Sequence, residues 1–173
     1  MSSTNETRRR VREHVHSQPG IHFNALVRDS AFAPDQIQYH LRRLLRAGEV
    51  AEERLYGRTH YFPPEHDAWE RRTLALVRRE TAREVLTHLL EHEGAKPAAV
   101  ADSLGIARST LEWHLGRLEE QGIVGKDRDE RNRVTLFVSH PDRTARLLAE
   151  TTDSLPDRFA DRFMRLVDDL FEE

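Results

Sequence analysis

The chain has 173 residues, 38% hydrophobic and 33% charged, with a net charge of −3 and no cysteine. That length holds one domain or two small ones, and the absence of cysteine excludes disulfides and thiolate-held metal. No apolar run approaches the roughly 20 residues of a spanning helix, and MSSTNETRRR lacks the apolar core of a secretory signal, so a cytoplasmic protein with no membrane partner is expected.

In chain order, Thr4–Gln18 reads as a helix with Val11 and Val15 one turn apart, stopped by Pro19-Gly20. Ile21, Phe23, Leu26 and Val27 form a short second helix that breaks near Asp29-Ser30. Pro34 opens a third, since its fixed φ suits a first turn; Ile37, Leu41, Leu44 and Leu45 give it an inward stripe and Gly48 ends it. Val50–Tyr56 and Thr59–Phe62 read as strands around Gly57-Arg58. Asp67–Val77 reads as a connecting helix with Trp69, Leu74 and Val77.

The same order then returns. Helices Thr81–His92, Pro97–Leu104 and Arg108–Gln121 are followed by strands Ile123–Lys126 and Arg133–Val138 around the charged DRDERNR. Asp142–Glu150 reads as a short helix with Leu147 and Leu148. Pro156 opens a last one, with Ser154 and Asp157 placed to cap it. On that helix Phe159, Phe163, Leu166 and Leu170 make a stripe at 4-3-4 spacing. Such a stripe must be buried, either on its own domains or against the same helix of a second chain in a homodimer.

The recurrence is in register. Arg9–Val50 lies over Arg83–Val124 without a gap at an offset of 74, with coincidences including His14/His88, Gly20/Gly94, His40/His114, Leu41/Leu115, Leu44/Leu118 and Gly48/Gly122. A period this long, enclosing helix-length segments, means two copies of one small domain. The expected fold is mainly α with small β-hairpin wings. Its parts are a first domain over 1–64, a connecting helix over 65–80, a second domain over 81–140 and a helical tail over 141–173. Residues 1–62 carry 10 Arg/Lys against 7 Asp/Glu, residues 63–140 carry 12 against 14, and 141–173 carry 5 against 9. An anionic partner near the first copy fits that gradient.

Three helices and a hairpin make the winged helix–turn–helix order. Both third helices resemble the recognition helix of small archaeal and bacterial winged-helix regulators of the ArsR/MarR type, in which Ser-Thr-Val-x-x-His-Leu-x-x-Leu-x-x-x-Gly recurs. The matching residues are Ser109, Thr110, Leu111, His114, Leu115, Leu118 and Gly122, and in the first copy Ile37, Tyr39, His40, Leu41, Leu44 and Gly48. Ala33 and Ala107 stand where that pattern has a capping Ser or Thr, and Asp35-Gln36 replaces Ser-Thr in the first copy. The resemblance implies a sequence-specific, non-enzymatic transcriptional regulator, nucleoid-associated and dimeric, that binds double-stranded DNA and blocks or aids basal transcription factors without a cofactor. With lysine confined to Lys96 and Lys126, the Arg- and acid-rich composition also resembles that of salt-loving archaea.

A recognition helix in the major groove presents its outward side chains to base edges. In the first copy those are Gln36, Gln38, Tyr39, Arg42 and Arg43, with Arg54 and Arg58 on the hairpin placed for phosphate or a minor groove. In the second they are Arg108, Ser109, Thr110, Trp113 and Arg117, with Glu112 among them to repel phosphate unless it accepts from a cytosine amine. Tyr39 and Trp113 hold one repeat position and serve either as DNA contacts or as packing aromatics. His40 and His114 read as satisfied structural histidines. The acids Asp127, Asp129 and Glu130 make the second wing a poor phosphate binder, so the first copy is expected to read DNA more strongly. His88 and His92 stand one turn apart, a spacing open to a metal, yet zinc wants further ligands and none is dictated; no metal is expected. Two rival functions share this fold: a protein that coats DNA without sequence preference, and a protein-interaction module.

Overall fold

Helix ends in the two halves of the chain are closed by the same backbone hydrogen bonds, 74 residues apart. Glu49 N–H donates to Leu44 O (3.0 Å) and Gly48 N–H to Leu45 O (3.2 Å); Ile123 donates to Leu118 (2.9 Å) and Gly122 to Glu119 (2.9 Å). This pair of bonds needs a left-handed residue after the helix, supplied by Gly48 at φ +71 and Gly122 at φ +69. In the computed structural model, which describes residues 2–151 together with Arg165 and Asp168, the chain forms two compact units, Met1–Ala75 and Leu76–Glu173. The expected stripe Phe159, Phe163, Leu166 and Leu170 lies outside the described residues.

The first unit runs α1 (Ser2–Ser17), β1 (Ile21–His22), α2 (Phe23–Asp29), α3 (Pro34–Arg46), β2 (Ala51–Leu55) and β3 (Arg58–Phe62), and then enters α4 (Ala68–Val77). Its antiparallel sheet has the order β1-β3-β2. Val11 and Val15 of α1, Leu26 of α2, and Ile37, Leu41 and Leu44 of α3 are buried in one cluster with Ile21, Val50 and Tyr61. Each fully buried apolar side chain of this size contributes about 1.5–3 kcal/mol.

Two boundaries differ from the sequence expectation. Ile21 belongs to a strand, not to the second helix: Gly20 turns the chain at φ +85 and donates to Tyr61 O (2.8 Å), laying Ile21 beside Tyr61 and His22 beside His60. The hairpin turn sits one residue earlier than expected, on Tyr56 (φ +52) and Gly57 (φ +80), with Leu55 opposite Arg58. Two positive-φ residues make the turn that matches strand twist, and Arg58 becomes the first residue of β3.

The second unit runs α5 (Glu80–Glu91), α6 (Pro97–Leu104), α7 (Arg108–Glu120), β4 (Val124–Arg128), β5 (Val134–Val138) and α8 (Pro141–Glu150). Its counterpart of β1 has shrunk to one bridge, Ala95 to Leu136, with Leu136 N–H on Ala95 O at 2.8 Å. Ala95 is Ile21 displaced by 74. Val85, Leu86 and Leu89, Val100, Leu111, Leu115 and Leu118, Leu136, and Leu147 and Leu148 are buried. The overall class is mainly α with small antiparallel hairpins, as expected.

Gly20 and Gly94 test the repeat energetically. A Cβ at Gly20 would lie 3.2 Å from the Leu74 backbone, whereas at Gly94 (φ +70) nothing lies within 4 Å. Left-handed alanine alone costs about 1 kcal/mol, so Gly94→Ala should cost that much. Gly20→Ala should cost about 2–3 kcal/mol, the upper range for a strained residue. Urea unfolding of the two variants checks the order; equal costs would remove the crowding by Leu74.

Candidate nucleic-acid interface

The outward face of each third helix is set by what its inward face buries. Ile37, Leu41 and Leu44 are at most 2% exposed, so Gln36, Gln38, Tyr39, Arg42 and Arg43 must face solvent, and all are exposed. Ala33 gives α3 no side-chain cap. Gln36 partly replaces it, its Oε1 accepting from Ala33 N–H (3.1 Å), which leaves its amide N–H groups to face outward. Arg43 donates to Tyr39 Oη (3.1 Å) and stands over the Tyr39 ring at 5.6 Å. Among the described residues, none of Arg42, Arg43, Arg46, Arg54 and Arg58 forms an ion pair with a carboxylate.

The hairpin carries Arg54 and Arg58, both exposed. Arg58 Nη1 lies 3.0 Å from His22 Nε2, while His22 Nδ1 accepts from Ala25 N–H (3.2 Å) and so caps α2. A neutral imidazole accepts through one nitrogen only, so the two contacts cannot both be hydrogen bonds.

In the second unit Arg108, Ser109, Thr110 and Trp113 are exposed and Arg117 is half-buried. Here, unlike on α3, an outward arginine is paired with a carboxylate. Glu112 lies 3.4 Å from Arg108 and 3.4 Å from Lys126, and Lys126 lies 3.4 Å from Glu119. Trp113 is 49% exposed, yet Arg117 stacks on its ring at 4.2 Å and Arg79, from the α4–α5 junction, at 5.3 Å. The repeat position of Tyr39 and Trp113 is therefore aromatic-on-arginine in both copies, with arginine four residues on.

His40 is buried as expected, but its Nδ1 has no hydrogen-bond partner among the described residues. Burial, then the nearby Arg8 and Arg43, holds its pKa below the ordinary value. Burial, then Arg79 and Arg117, does the same to His114. A base with a depressed folded pKa binds fewer protons folded than unfolded, so stability is complete above the unfolded pKa near 6.5 and falls as pH drops below it. Thermal unfolding should thus shift down between pH 7 and pH 5. His40→Leu should flatten that dependence, and an unchanged slope would show that His40 does not carry it.

Asp129 Oδ1 accepts from Arg131 N–H and Arg133 N–H (2.9 Å each), and Oδ2 accepts from Arg133 Nε (2.6 Å). These bonds, the Arg133 backbone first, hold its pKa down and close the turn. Lys126, Arg128, Arg133 and Val134 line one groove with Lys96, Pro97, Arg108 and Glu112. Lys96, Arg128 and Arg133 did not stand out as site residues in the sequence. The available signal was the alternation of Lys126 and Arg128 with Asp127 and Asp129, which puts cations and acids on opposite strand faces. His88 and His92 stack at 4.3 Å, and among the described residues no group of three metal-binding side chains forms.

A helix–turn–helix closed by a β-hairpin, present twice, defines a tandem winged helix–turn–helix protein. Residues 5–74 match the family described as an N-terminal HTH domain, and residues 78–124 match the family described as winged helix-turn-helix DNA-binding. The chain is 27% identical over 135 residues to MJ1398, an uncharacterised HTH-type transcriptional regulator of Methanocaldococcus jannaschii. That match covers 78% of this chain and 34% of the relative, so the chain spans about a third of the relative's length. A solved structure of Lactococcus lactis ZitR, a cysteine-to-serine variant, matches at 18% identity over 83% of this chain and 98% of that one, with a TM-score of 0.31. So low a score carries no functional weight. Among the described residues no helix is long and apolar enough to cross a membrane.

Proposed function

We propose that the chain is a sequence-specific DNA-binding transcriptional regulator, non-catalytic and cytoplasmic, whose first domain (1–64) is the main reader. α3 enters the major groove, where Gln38 and the amide of Gln36 meet adenine, and Arg42 and Arg43 meet guanine or phosphate. Tyr39 braces Arg43, and Arg54 and Arg58 hold phosphates beside the hairpin. In the second domain (81–140) Arg108, Ser109, Thr110 and Arg117 are the supporting contacts, with Trp113 ordering Arg117. Occupied promoter DNA then blocks or aids basal transcription factors. Phe159, Phe163, Leu166 and Leu170 join two chains into a homodimer, a role supported by their spacing in the sequence alone. The observation that carries the reading is the set of exposed arginines on α3 and its hairpin that no carboxylate among the described residues neutralises.

The test is binding to the protein's own upstream DNA against scrambled duplex, titrated across potassium chloride. Preference for its own promoter at high salt is the expected result. Equal, salt-fragile binding to both duplexes would replace the reading with DNA coating. Absence of binding by folded protein would replace it with a protein-interaction role.

A further inference from the structure

The third helix of each unit carries a histidine that lies near two arginines. In the first unit His40 is 5% exposed, and the charged groups bearing on it are Arg8 of α1 and Arg43 of its own helix. Tyr39 meets its ring edge-on at 5.1 Å and holds Arg43 through Oη at 3.1 Å. Among the described residues neither arginine has a carboxylate partner, and His40 Nδ1 and Arg8 Nε are both buried without a hydrogen bond. Unpaired buried polar atoms are costly, so packing alone would be better served by an apolar side chain than by His40.

The second unit repeats the arrangement. His114 is half-buried, Trp113 meets it edge-on at 4.8 Å, Arg117 stands over Trp113 at 4.2 Å, and Arg79 and Arg117 are the charges bearing on the histidine. The aromatic before the histidine and the arginine three residues after it follow the offset of 74. The other arginine does not: Arg8 displaced by 74 is Ala82, whereas Arg79 stands at the N-cap of α5. Two different sequence positions bring a cation to the same histidine, so this charge is not a relic of the duplication.

A proton on His40 would add a third cation to Arg8 and Arg43 in a site shielded from water, where like charges repel more strongly than in solution. The free chain therefore favours the neutral imidazole. Arg43 is also a side chain offered to DNA, and the negative field of a duplex offsets its charge. We infer that His40 is a positioning residue that couples a proton to DNA binding through Arg43: the bound duplex lets the imidazole take up a proton, and binding tightens as the solution becomes more acid. His114, with Arg79 and Arg117, repeats the device in the second unit. This rests on the DNA-binding reading above and adds to it a regulation by pH. The sign follows from linkage. A base that holds its proton more readily in the complex than in the free chain strengthens binding as pH falls below its ordinary value of about 6.5 and leaves binding unchanged well above it.

The experiment measures affinity for the protein's own upstream duplex at constant salt, from about pH 8 to about pH 5.5 across the histidine range, for wild type, His40→Gln and Arg8→Gln. It also follows the His40 imidazole resonance of wild type, assigned by its loss in His40→Gln, with and without duplex. The other histidines titrate in every variant, so the difference between profiles isolates His40. Taken relative to its own value at the alkaline end, wild type should tighten on acidification about fivefold more than His40→Gln, the low end of coupling between linked sites. The resonance should titrate at higher pH in the complex than in the free chain, and Arg8→Gln should raise its titration in the free chain. If His40→Gln does not fold, the wild-type resonance, assigned instead through its contact with Tyr39, decides alone. Superimposable profiles, or a resonance that duplex does not move upward, would overturn the coupling and leave DNA binding in place. No duplex binding by wild type at any pH would overturn both readings.

Discussion

Replacing Arg42 and Arg43 together by alanine is expected to weaken binding to the protein's own upstream duplex by at least tenfold and to lower its salt slope by about 2. The size comes from the local physics. A bidentate arginine–guanine contact is worth about 1–3 kcal/mol of discrimination, and a phosphate contact adds its counterion-release increment whatever the base. Among the described residues neither side chain has a carboxylate to leave first, so no ion pair there offsets the gain. The helix that presents them cannot rotate, because Ile37, Leu41 and Leu44 are buried on its opposite side. Arg43 is further held by Tyr39 Oη at 3.1 Å, which lowers the cost of ordering a long side chain on binding.

Two comparisons make this result readable. Arg9→Ala removes an exposed arginine already engaged by Glu6 and Glu13 on α1 and should leave binding unchanged. The loss on scrambled duplex separates base reading from phosphate holding. A greater loss on the promoter assigns at least one arginine to guanine; an equal loss assigns both to phosphate. Wild-type binding by the folded double variant would remove α3 as the reading face. Because both residues are exposed, circular dichroism and thermal unfolding should match wild type.

Helices were legible because their signals are local. Apolar positions three and four apart, proline at the first turn and glycine after the last delimit Pro34–Arg46 and Pro97–Leu104. β1 was not legible, since two residues carry no period. What makes Ile21–His22 a strand is the carbonyl of Tyr61, about forty residues on, receiving the N–H of Gly20. The charge pattern of the second wing is visible in the sequence, but there it amounts only to a sum of signs. β4 was expected to end at Lys126, whereas it continues to Arg128 opposite Val134 and is closed by the Asp129 turn. Two more residues of strand turn a mixed-charge loop into a sorted one. The seat of Trp113 is a tertiary matter, because Arg79 reaches it from the α4–α5 junction.

Leu41→Ala and Leu115→Ala, the same residue of the two copies, are each expected to destabilise their own unit by about 2–5 kcal/mol, the cost of emptying a buried leucine site. Leu41 is 2% exposed and Leu115 0%, and units spanning Met1–Ala75 and Leu76–Glu173 hold only about 4–15 kcal/mol each. Either change thus removes a large share of what keeps a unit folded. The two tryptophans, Trp69 and Trp113, fall one in each unit, so Trp113→Phe leaves Trp69 to report the first and Trp69→Phe leaves Trp113 to report the second. The apolar cluster around Leu41 closes on residues between Val11 and Tyr61. Leu41→Ala should therefore move the Trp69 urea transition well ahead of the Trp113 transition, and Leu115→Ala should reverse that order. Coincident transitions in both variants would show that the copies unfold as one cooperative block. A cost under 1 kcal/mol for Leu41→Ala would mean that α3 is not anchored through this residue, and the outward register of Arg42 and Arg43 would lose its support with it.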